Sequence, residues 1–443
     1  MTPSMEQIVS LCKRRGFIFQ GSEIYGGLAG TFDYGPLGVA LKNNIKNLWW
    51  KQFVENRTDM YGVDAAILMN QKVWQASGHV GGFSDPLVEC SNCKSRFRED
   101  QIDISKCPSC SKEGTFGQAR QFNMMFKTNI GVIENEDSIS YLRPETAQGM
   151  FVNFKNILDT FHPKLPFGMA QIGKAFRNEI APRDFIFRVR EFEQMEIEYF
   201  VDPRNEKLVD ETFDALFDEQ MSFINKLGLS KDKIHKIEVP EGDRAHYSKR
   251  SVDTEYDFPF GQKELLGLAY RTDYDLSAHI KASGADLTYF DEEAKERFVP
   301  HCIEPTFGLD RLVLAVLSDA YKTDGEGDDA RVYLSFPVSI APIKVCVSPL
   351  VKNKEALVSK ARELFVDLKK SLGAVVWDDN GNVGKRYRRQ DEIGTPFCVV
   401  VDFDTLGENP ELLDTVTVRD RDTGKQERIA IKDLEKYIEE KIK

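Results

Sequence analysis

The sequence predicts an α+β protein: a main domain with an antiparallel hairpin flanked by helices, an inserted cysteine knuckle, and a small C-terminal α/β domain. In residues 170–200, two runs flank a turn-like IAPRD, and the second run is rich in β-branched and aromatic residues, as in a strand–loop–strand unit. Residues 90–110 contain two CxxC pairs. Beyond residue 340, strand-like and helix-like segments alternate, which is typical of an α/β unit.

Length and composition limit the class of protein. A chain of 443 residues is long enough for two or three structural units. Its formal net charge of −12 argues against a protein that coats nucleic acid non-specifically, although a local basic patch could still hold one particular RNA. No apolar run reaches membrane-spanning length and the N-terminus lacks a signal-peptide core, so we expect a cytoplasmic protein without a membrane or DNA partner.

The first sixty residues predict two helices. Ser4 and Gln7 are spaced as a capping box at the start of a helix over residues 4–15. Residues 37–55 have a long helical pattern with an apolar stripe that includes Trp49 and Phe53. The pattern fits a core helix and a subunit interface equally well.

Four cysteines predict a metal site within an insertion over residues 84–120. Cys90-x-x-Cys93 and Cys107-x-x-Cys110 have the paired spacing of a tetrahedral zinc site. Four thiolates leave no open coordination position, so the zinc would be structural. The alternative is four free thiols.

The hairpin places polar side chains in rows, because side chains alternate between the two faces of a strand. Arg177 and Glu179 would share one face of the first strand. The same face of the second strand would carry Arg188, Arg190, Phe192, Gln194, Glu196 and Glu198. Arginines, an aromatic ring and carboxylates in a row do not suit a dry core. They indicate the floor of a site for a ligand that has phosphates and a base, beside a cation.

Further segments surround this hairpin. Glu145 lies in LRPETAQGMF, and a charged amphipathic helix over 205–227 falls in a mainly helical insertion, 201–250. Residues 255–275 predict two strands around Gly261. In 301–321, a glycine-containing turn leads into an apolar helix with Arg311 in its first turn, where it can face a cleft.

The composition changes near Pro337–Pro342, which divides a main domain, 1–340, from a C-terminal domain, 341–443. The predicted order there is strand, helix (352–371), strand, basic loop, strand, hairpin around Asp422–Gly424, and helix. The basic loop contains Lys385, Arg386, Tyr387, Arg388 and Arg389. It is either a solvated charge run or an RNA contact in which bases stack on the tyrosine.

Three segments resemble the second and third signature motifs of class II aminoacyl-tRNA synthetases: FRNE (176–179), FRVREFEQMEIEYF (187–200) and EPTFGLDR (304–311). Gly35-Pro36 and the following helix resemble the first, dimer-forming motif. Four longer strings resemble the dimeric (α2) glycyl type of this family: RPETAQGMF, ASGHVGGFSDPLVEC, FPFGQKELLGLAYRTDYDL and GKRYRRQDEIGTPF. The resemblance implies an antiparallel catalytic sheet, a zinc-knuckle insertion, an anticodon-binding α/β domain and a homodimer. It also implies ATP, Mg²⁺, glycine and tRNA-Gly as ligands.

The resemblance implies a role for individual residues. Arg177 would contact the α-phosphate of ATP, Arg311 would contact the γ-phosphate, and Glu179 would contact the base. These three residues would be catalytic. The implied ATP-binding residues are Arg177, Asn178, Glu179, Phe187, Arg188, Val189, Arg190, Glu191, Phe192, Glu264, Leu265, Gly308, Leu309, Asp310 and Arg311. The implied glycine-binding residues are Arg98, Glu145, Phe192, Glu193, Gln194, Met195, Glu196, Glu304, Pro305, Thr306, Phe307 and Gly308. The implied tRNA contacts are Lys385, Arg386, Arg388 and Arg389.

Within this resemblance, Thr306 departs from the serine expected in many relatives, and its extra methyl group would narrow the amino-acid pocket. A synthetase for serine, proline or threonine is an alternative, as is an inactive relative that binds nucleic acid as an accessory subunit. His79, His279 and His301 lie near motif strings and could be functional or simply hydrogen-bonded structural residues.

Overall fold

A mostly antiparallel sheet of seven strands organises the main part of the computed structural model, which describes residues 3–325 and 330–442. The α-helices are α1 Met5–Arg15, α2 Pro36–Trp50, α3 Gln71–Ala76, α4 His79–Gly82, α5 Ala147–Phe161, α6 Glu206–Lys226, α7 Tyr274–Ser283, α8 Leu309–Ala320, α9 Glu355–Leu372, α10 Val383–Ile393 and α11 Ile431–Ile442. The strands before the middle of the chain are β1 Ile18–Gln20, β2 Phe32–Tyr34, β3 Met60–Gly62, β4 Ser84–Glu89, β5 Arg96–Arg98, β6 Arg120–Asn123, β7 Lys127–Asn129, β8 Ile139–Tyr141, β9 Phe167–Phe176 and β10 Glu191–Val201. The later strands are β11 Ile234–Glu238, β12 Arg250–Phe258, β13 Gly261–Thr272, β14 Tyr289–Asp291, β15 Glu296–Phe298, β16 His301–Gly308, β17 Tyr321–Asp324, β18 Arg331–Leu334, β19 Val345–Pro349, β20 Val375–Trp377, β21 Phe397–Val401, β22 Thr415–Asp420 and β23 Gln426–Ala430.

The two predicted N-terminal helices are confirmed. The Ser4 hydroxyl accepts from the Gln7 backbone N–H, and the Gln7 side-chain oxygen accepts from the Ser4 backbone N–H, so the capping box is complete. Helix α2 begins at Pro36, where proline costs no hydrogen bond, and a π-helical turn continues it to Glu55. Trp49 is fully buried and its ring lies 5.8 Å from that of Phe307, so this stripe is core. The predicted subunit interface stays a prediction.

The central sheet has the order β11-β12-β13-β16-β10-β9-β3, and every pair except β3–β9 is antiparallel. The predicted hairpin is β9–β10, with Phe192 opposite Ala175 and Glu196 opposite Gln171. The strand pair around Gly261 is β12–β13. Both predictions are confirmed.

The predicted extent of the hairpin strands is wrong. Strand β9 ends at Phe176 and β10 begins only at Glu191, so the arginines and Glu179 expected on strand faces lie in the connecting loop. This loop turns through Asp184 and Phe185, which both have left-handed backbones with φ of 58° and 57°. A single bridge joins Arg183 and Arg188. The period-2 pattern holds from residue 192 onward.

Helices cover both faces of this sheet. One apolar cluster combines side chains of α1, α2, α6 and α8 with the sheet, and a second combines α5 and α7 with the other face. The predicted helix over 205–227 is α6, with Phe213 and Phe223 buried in the first cluster and its charged side exposed. Among the residues described, no helix combines the length and apolar character needed to cross a membrane.

The C-terminal residues form a separate sheet with the order β20-β19-β21-β22-β23 and an apolar core of their own. The predicted basic loop is wrong, because these residues form helix α10. The Asn382 side chain caps the helix by accepting from the Lys385 N–H, and Gly394 ends it with φ of 78°. Arg386 is 2% exposed and its guanidinium binds backbone carbonyls, including that of Gly381 at 2.7 Å.

Candidate active site

Two adjoining cavities lie on one face of the central sheet, with volumes of about 300 and 270 Å³. Residues that line both are Arg177, Gln194, Glu264, Gly267 and Thr306. Four arginines and two phenylalanines line the first cavity, together with four carboxylates, whereas Glu145, Glu196 and Glu304 line the end of the second. We call them the arginine cavity and the acid cavity.

Arg177 lies at the junction of the two cavities. Its Nε donates to the Pro144 carbonyl at 3.1 Å, which fixes the side chain. The guanidinium lies 5.3 Å from the ring centroids of both Phe83 and Phe192. Cation–π contacts of this kind help to hold an arginine in place. Phe192, one of the implied ATP-binding residues, lines the arginine cavity.

Arg311 lines the far side of the arginine cavity, in the first turn of α8 as predicted. Its Nη1 lies 3.1 Å from Glu264 Oε2, and the guanidinium lies 4.4 Å over the Phe187 ring. The Arg311 charge lowers the pKa of Glu264. Across the same cavity, Arg188 Nη1 lies 3.5 Å from Glu179 Oε2.

Arg98 lines the arginine cavity and is absent from the lining of the acid cavity, although the resemblance implied a place near glycine. It reaches the cavity from β5 of the cysteine insertion, held by Asp85 and Asp100, each at 2.8 Å.

Three glutamates meet at the end of the acid cavity. Glu145 Oε2 lies 3.2 Å from His79 Nε2, and its Oε1 accepts from Gln148 at 3.1 Å. Glu196 accepts from the Thr146 N–H at 3.0 Å, from the Thr146 hydroxyl, and from Gln194 Nε2 at 2.8 Å.

Glu304 is the third of these glutamates, and the fully buried Arg271 donates to both of its carboxylate oxygens, at 2.9 and 3.0 Å. Arg271 also binds Asp275, at 2.8 Å. The motif string AYRTDYDL contains both residues, but sequence reasoning assigned them no role. Their i,i+4 spacing at the strand–helix junction was the available signal.

The carboxylates in the acid cavity differ in their tendency to ionise. Burial, followed by the nearby Glu145 charge, raises the pKa of Glu196 to about 7. Burial also raises the pKa of Glu304 to about 8, although Arg271 opposes this shift. Burial would raise the pKa of Glu145 too, but His79 and Arg271 together hold it below its usual range. A cation bound in this cavity would therefore stabilise the ionised forms of these carboxylates.

Glu198 is a further buried carboxylate near the three glutamates at the end of the acid cavity. Burial and the neighbouring Glu304 charge raise its pKa well above its usual value. This residue was predicted on the ligand-facing row, but it lines neither cavity. It is fully buried and its Oε2 accepts from the Cys302 thiol at 2.9 Å.

Other predicted residues divide between cavity and core. Thr306 lies opposite Glu196 across β10–β16, where the two cavities meet. The side chains that pack in the apolar core are Met195, Phe307 and Leu309. Arg190 donates to the carbonyls of Ala29 and Glu179, so it braces the loop.

The histidines also divide. His79 contacts Glu145 in the acid cavity, whereas His279 hydrogen-bonds Gln148 and His301 hydrogen-bonds Tyr270. The last two fit the structural alternative.

The four knuckle cysteines come together as their spacing predicted. Their sulfur atoms all lie within 4.8 Å of one another, with Cys90–Cys110 at 3.7 Å and Cys93–Cys107 at 3.6 Å. A tetrahedron with Zn–S bonds of about 2.3 Å requires sulfur atoms about 3.8 Å apart, so the donor set fits zinc.

The basic run does not form a continuous solvated strip. Besides the buried Arg386, Arg389 Nη2 pairs with Asp378 at 2.8 Å. Lys385 is exposed at the start of α10. An RNA role for Arg386 would have to be indirect.

The antiparallel-rich central sheet and the separate C-terminal α/β sheet agree with a class II tRNA synthetase core followed by an anticodon-binding domain, which two family models show. Two family models match in this order: the class II core domain of tRNA synthetases (G, H, P, S and T) over residues 122–320, and the anticodon binding domain over residues 344–441.

Curated relatives narrow the class. A glycine–tRNA ligase of Clostridium acetobutylicum is 50% identical, covering 99% of both chains. Those of Thermobifida fusca and Bacillus thuringiensis are 47% identical over 99% of this chain. The chain belongs to the glycine–tRNA ligase family, which confirms the predicted glycyl type; the α2 dimer stays a prediction.

Proposed function

We propose that this protein attaches glycine to tRNA-Gly, using ATP to form a glycyl-adenylate and releasing pyrophosphate and AMP. The observation that supports this most directly is the junction of an arginine cavity and an acid cavity at Arg177. An aminoacyl-adenylate has the same polarity: an ammonium group at one end, a phosphate in the middle and a base at the other end.

In the acid cavity, Glu145 and Glu196 would bind the glycine ammonium. Glu145 stays ionised because of His79, and a cation would lower the pKa of Glu196 by relieving the repulsion between the two carboxylates. The Thr306 side chain, which lines both cavities, would narrow the pocket and exclude larger amino acids by overlap, so no editing step is needed in principle.

In the arginine cavity, Arg177 would neutralise the α-phosphate and Arg311 the γ-phosphate, while Phe192 would stack on adenine. The glycine carboxylate attacks the α-phosphorus, and the bond to pyrophosphate breaks. This chemistry needs mainly positioning and charge neutralisation, which planar guanidinium groups supply. The terminal ribose hydroxyl of tRNA then attacks the adenylate carbonyl and releases AMP.

Carboxylates beside Arg311 could hold the Mg²⁺ that accompanies ATP. Burial and the neighbouring Glu264 charge raise the pKa of Asp253 to about 6. The carboxylates of Asp253 and Glu264 are oxygen donors of the kind that suits Mg²⁺, which would help to neutralise the phosphate charge.

The remaining proposals concern the whole protein: structural zinc on the four cysteines, a homodimer, a cytoplasmic location, and tRNA contacts that include Lys385 and Arg388. We also propose the division into residues 1–340 and 341–443, with insertions at 84–120 and 201–250.

Pyrophosphate exchange tests the proposed activity. We expect exchange that depends on glycine and is not supported by alanine, serine, proline or threonine. Arg311→Ala should reduce exchange about 10²- to 10³-fold, as for loss of a group that stabilises transition-state charge. Exchange with serine but not glycine would contradict the assigned amino acid. Charging of tRNA by Arg311→Ala at the wild-type rate would instead favour an accessory role.

A further inference from the structure

A mostly buried polar network joins four elements at the wall of the arginine cavity, which Glu193 and Asp310 line. Asp310, in the first turn of α8, accepts from the Tyr34 hydroxyl at 2.5 Å and from Lys42 Nζ at 3.2 Å. Its other oxygen accepts from the backbone N–H of Glu193 at 2.7 Å. Lys42 Nζ also lies 2.7 Å from Glu193 Oε2. The network thus ties β2 and α2 to the start of β10 and of α8.

The network is buried and electrostatically matched. Lys42 and Asp310 are each 6% exposed, and the Lys42 ammonium lies 4.2 Å over the Tyr34 ring. An ammonium in such a place is stable only if its hydrogen bonds are satisfied and its charge is paired. Here two carboxylates pair with it, and Lys46 adds a second cation 3.3 Å from Glu193.

Each carboxylate of the network adjoins a residue of the nucleotide site. Glu193 follows Phe192 on β10, and Asp310 precedes Arg311 on α8. The hydrogen bond from the Glu193 backbone N–H to the Asp310 carboxylate therefore sets the distance between the ring proposed for adenine and the guanidinium proposed for the γ-phosphate. We propose that Tyr34 and Lys42 are positioning residues that, through Asp310 and Glu193, fix these two ends of the ATP site. This inference rests on the function proposed above.

The glycine end is held by different contacts. Arg271 binds Glu304 and Asp275, and Asp275 accepts from Gln148, which in turn donates to Glu145. No hydrogen bond or ion pair found among the described residues joins this second network to Lys42 or Tyr34. Loss of the Lys42 network should therefore affect ATP much more than glycine.

The variant Lys42→Met tests the proposal. Losing the ammonium leaves two acids in repulsion and loosens the placement of Phe192 relative to Arg311. We expect the KM for ATP in glycine-dependent exchange to rise about ten- to a hundredfold, because small misplacements of positioning groups are costly. The KM for glycine should change little. Tyr34→Phe removes a single hydrogen bond and keeps all charges, so a smaller rise in the same direction is expected.

Lys46→Met is the matched control. It removes a lysine one turn along α2 that contacts Glu193 but not Asp310, and its side chain is 24% exposed against 8% for Lys42. Lys46→Met should leave the KM for ATP and the KM for glycine unchanged. Equal rises in KM for ATP and glycine, or an equal effect of Lys46→Met, would overturn the proposal and indicate a general structural role.

Calorimetric titration with ATP separates this proposal from the proposed activity. If the wild-type chain showed no glycine-dependent exchange, the function would be wrong, but ATP affinity could still be compared among the three variants. If Lys42→Met does not fold, Tyr34→Phe decides: unchanged ATP affinity at unchanged melting temperature would overturn the positioning role.

Discussion

Glu196 is a buried carboxylate that has hydrogen-bond donors around it but no cation in direct contact among the described residues. Thr146 and Gln194 satisfy its oxygens, while burial and Glu145 favour its protonated form. Its pKa in the folded chain is about 7, against an ordinary value of 4.5. The folded chain therefore binds a proton between these pH values that the unfolded chain has already lost.

The sign of the resulting pH dependence follows from this difference. Stability from Glu196 is fully present below about pH 4.5 and is lost as the pH rises through about 7. We expect the ligand-free wild-type chain to lose about 1–3 kcal/mol of unfolding free energy between pH 5 and 8 that Glu196→Gln does not lose. Urea unfolding at both pH values measures it.

Glu439→Gln, at an exposed position on α11, is the control and should follow the wild type. Parallel pH profiles for wild type and Glu196→Gln would show that Glu196 ionises normally. Glycine at saturating concentration should reduce the wild-type slope, because its ammonium stabilises the ionised carboxylate.

The knuckle and the hairpin show, at the level of elements, what a sequence can predict. Cysteine spacing predicted the cluster, because four thiolates at this separation have few other uses. Alternating β-branched and aromatic residues predicted β9–β10, but not where the strands end, since Arg188 and Arg190 continue the pattern into a loop.

Helix α10 was mistaken for a loop because its sequence is almost wholly polar. Asn382 and Gly394 were the missed capping signals. What makes the helix pack is a buried arginine, Arg386, that satisfies backbone carbonyls. Similarly, no local pattern could pair Lys42 with Asp310, which lie 268 positions apart.

The cysteine insertion should depend on its metal for order. With zinc bound, we expect about one metal ion per chain, and slow amide exchange in β4, β5 and β6. Cys107→Ser should lose the metal and speed exchange there, including at Arg98. Metal analysis and hydrogen–deuterium exchange measure both.

Cys346→Ser is the control for that experiment, because Cys346 lies on β19, outside the cluster. It should keep the metal. A wild-type chain purified without metal, yet protected throughout residues 84–123, would contradict the zinc proposal.

Across the whole molecule, charged side chains connect the main part of the chain to the C-terminal sheet. Arg15 Nε lies 2.5 Å from Glu392 and Arg331 Nε lies 2.7 Å from Asp391, both on α10. In the other direction, Arg421 donates to the Phe336 carbonyl at 2.8 Å. Helix α10 therefore supplies both of these carboxylates at the junction, and Asp391 is also held within its own part by Arg419.

This arrangement predicts that adenylate formation and tRNA charging can be separated. Arg331→Gln removes one ion pair across the junction but leaves Asp391 paired with Arg419, so the C-terminal sheet should stay folded. Glycine-dependent pyrophosphate exchange uses the cavities alone and should be unchanged. The KM for tRNA should rise about fivefold, because a loss of about 1 kcal/mol in docking misplaces the anticodon domain.

Lys360→Met, which breaks the partly exposed pair with Asp414 within the C-terminal part, is the control and should leave both steps intact. If Arg331→Gln slowed pyrophosphate exchange and tRNA charging equally, the ion pair would support the fold of the catalytic part and would not position the tRNA.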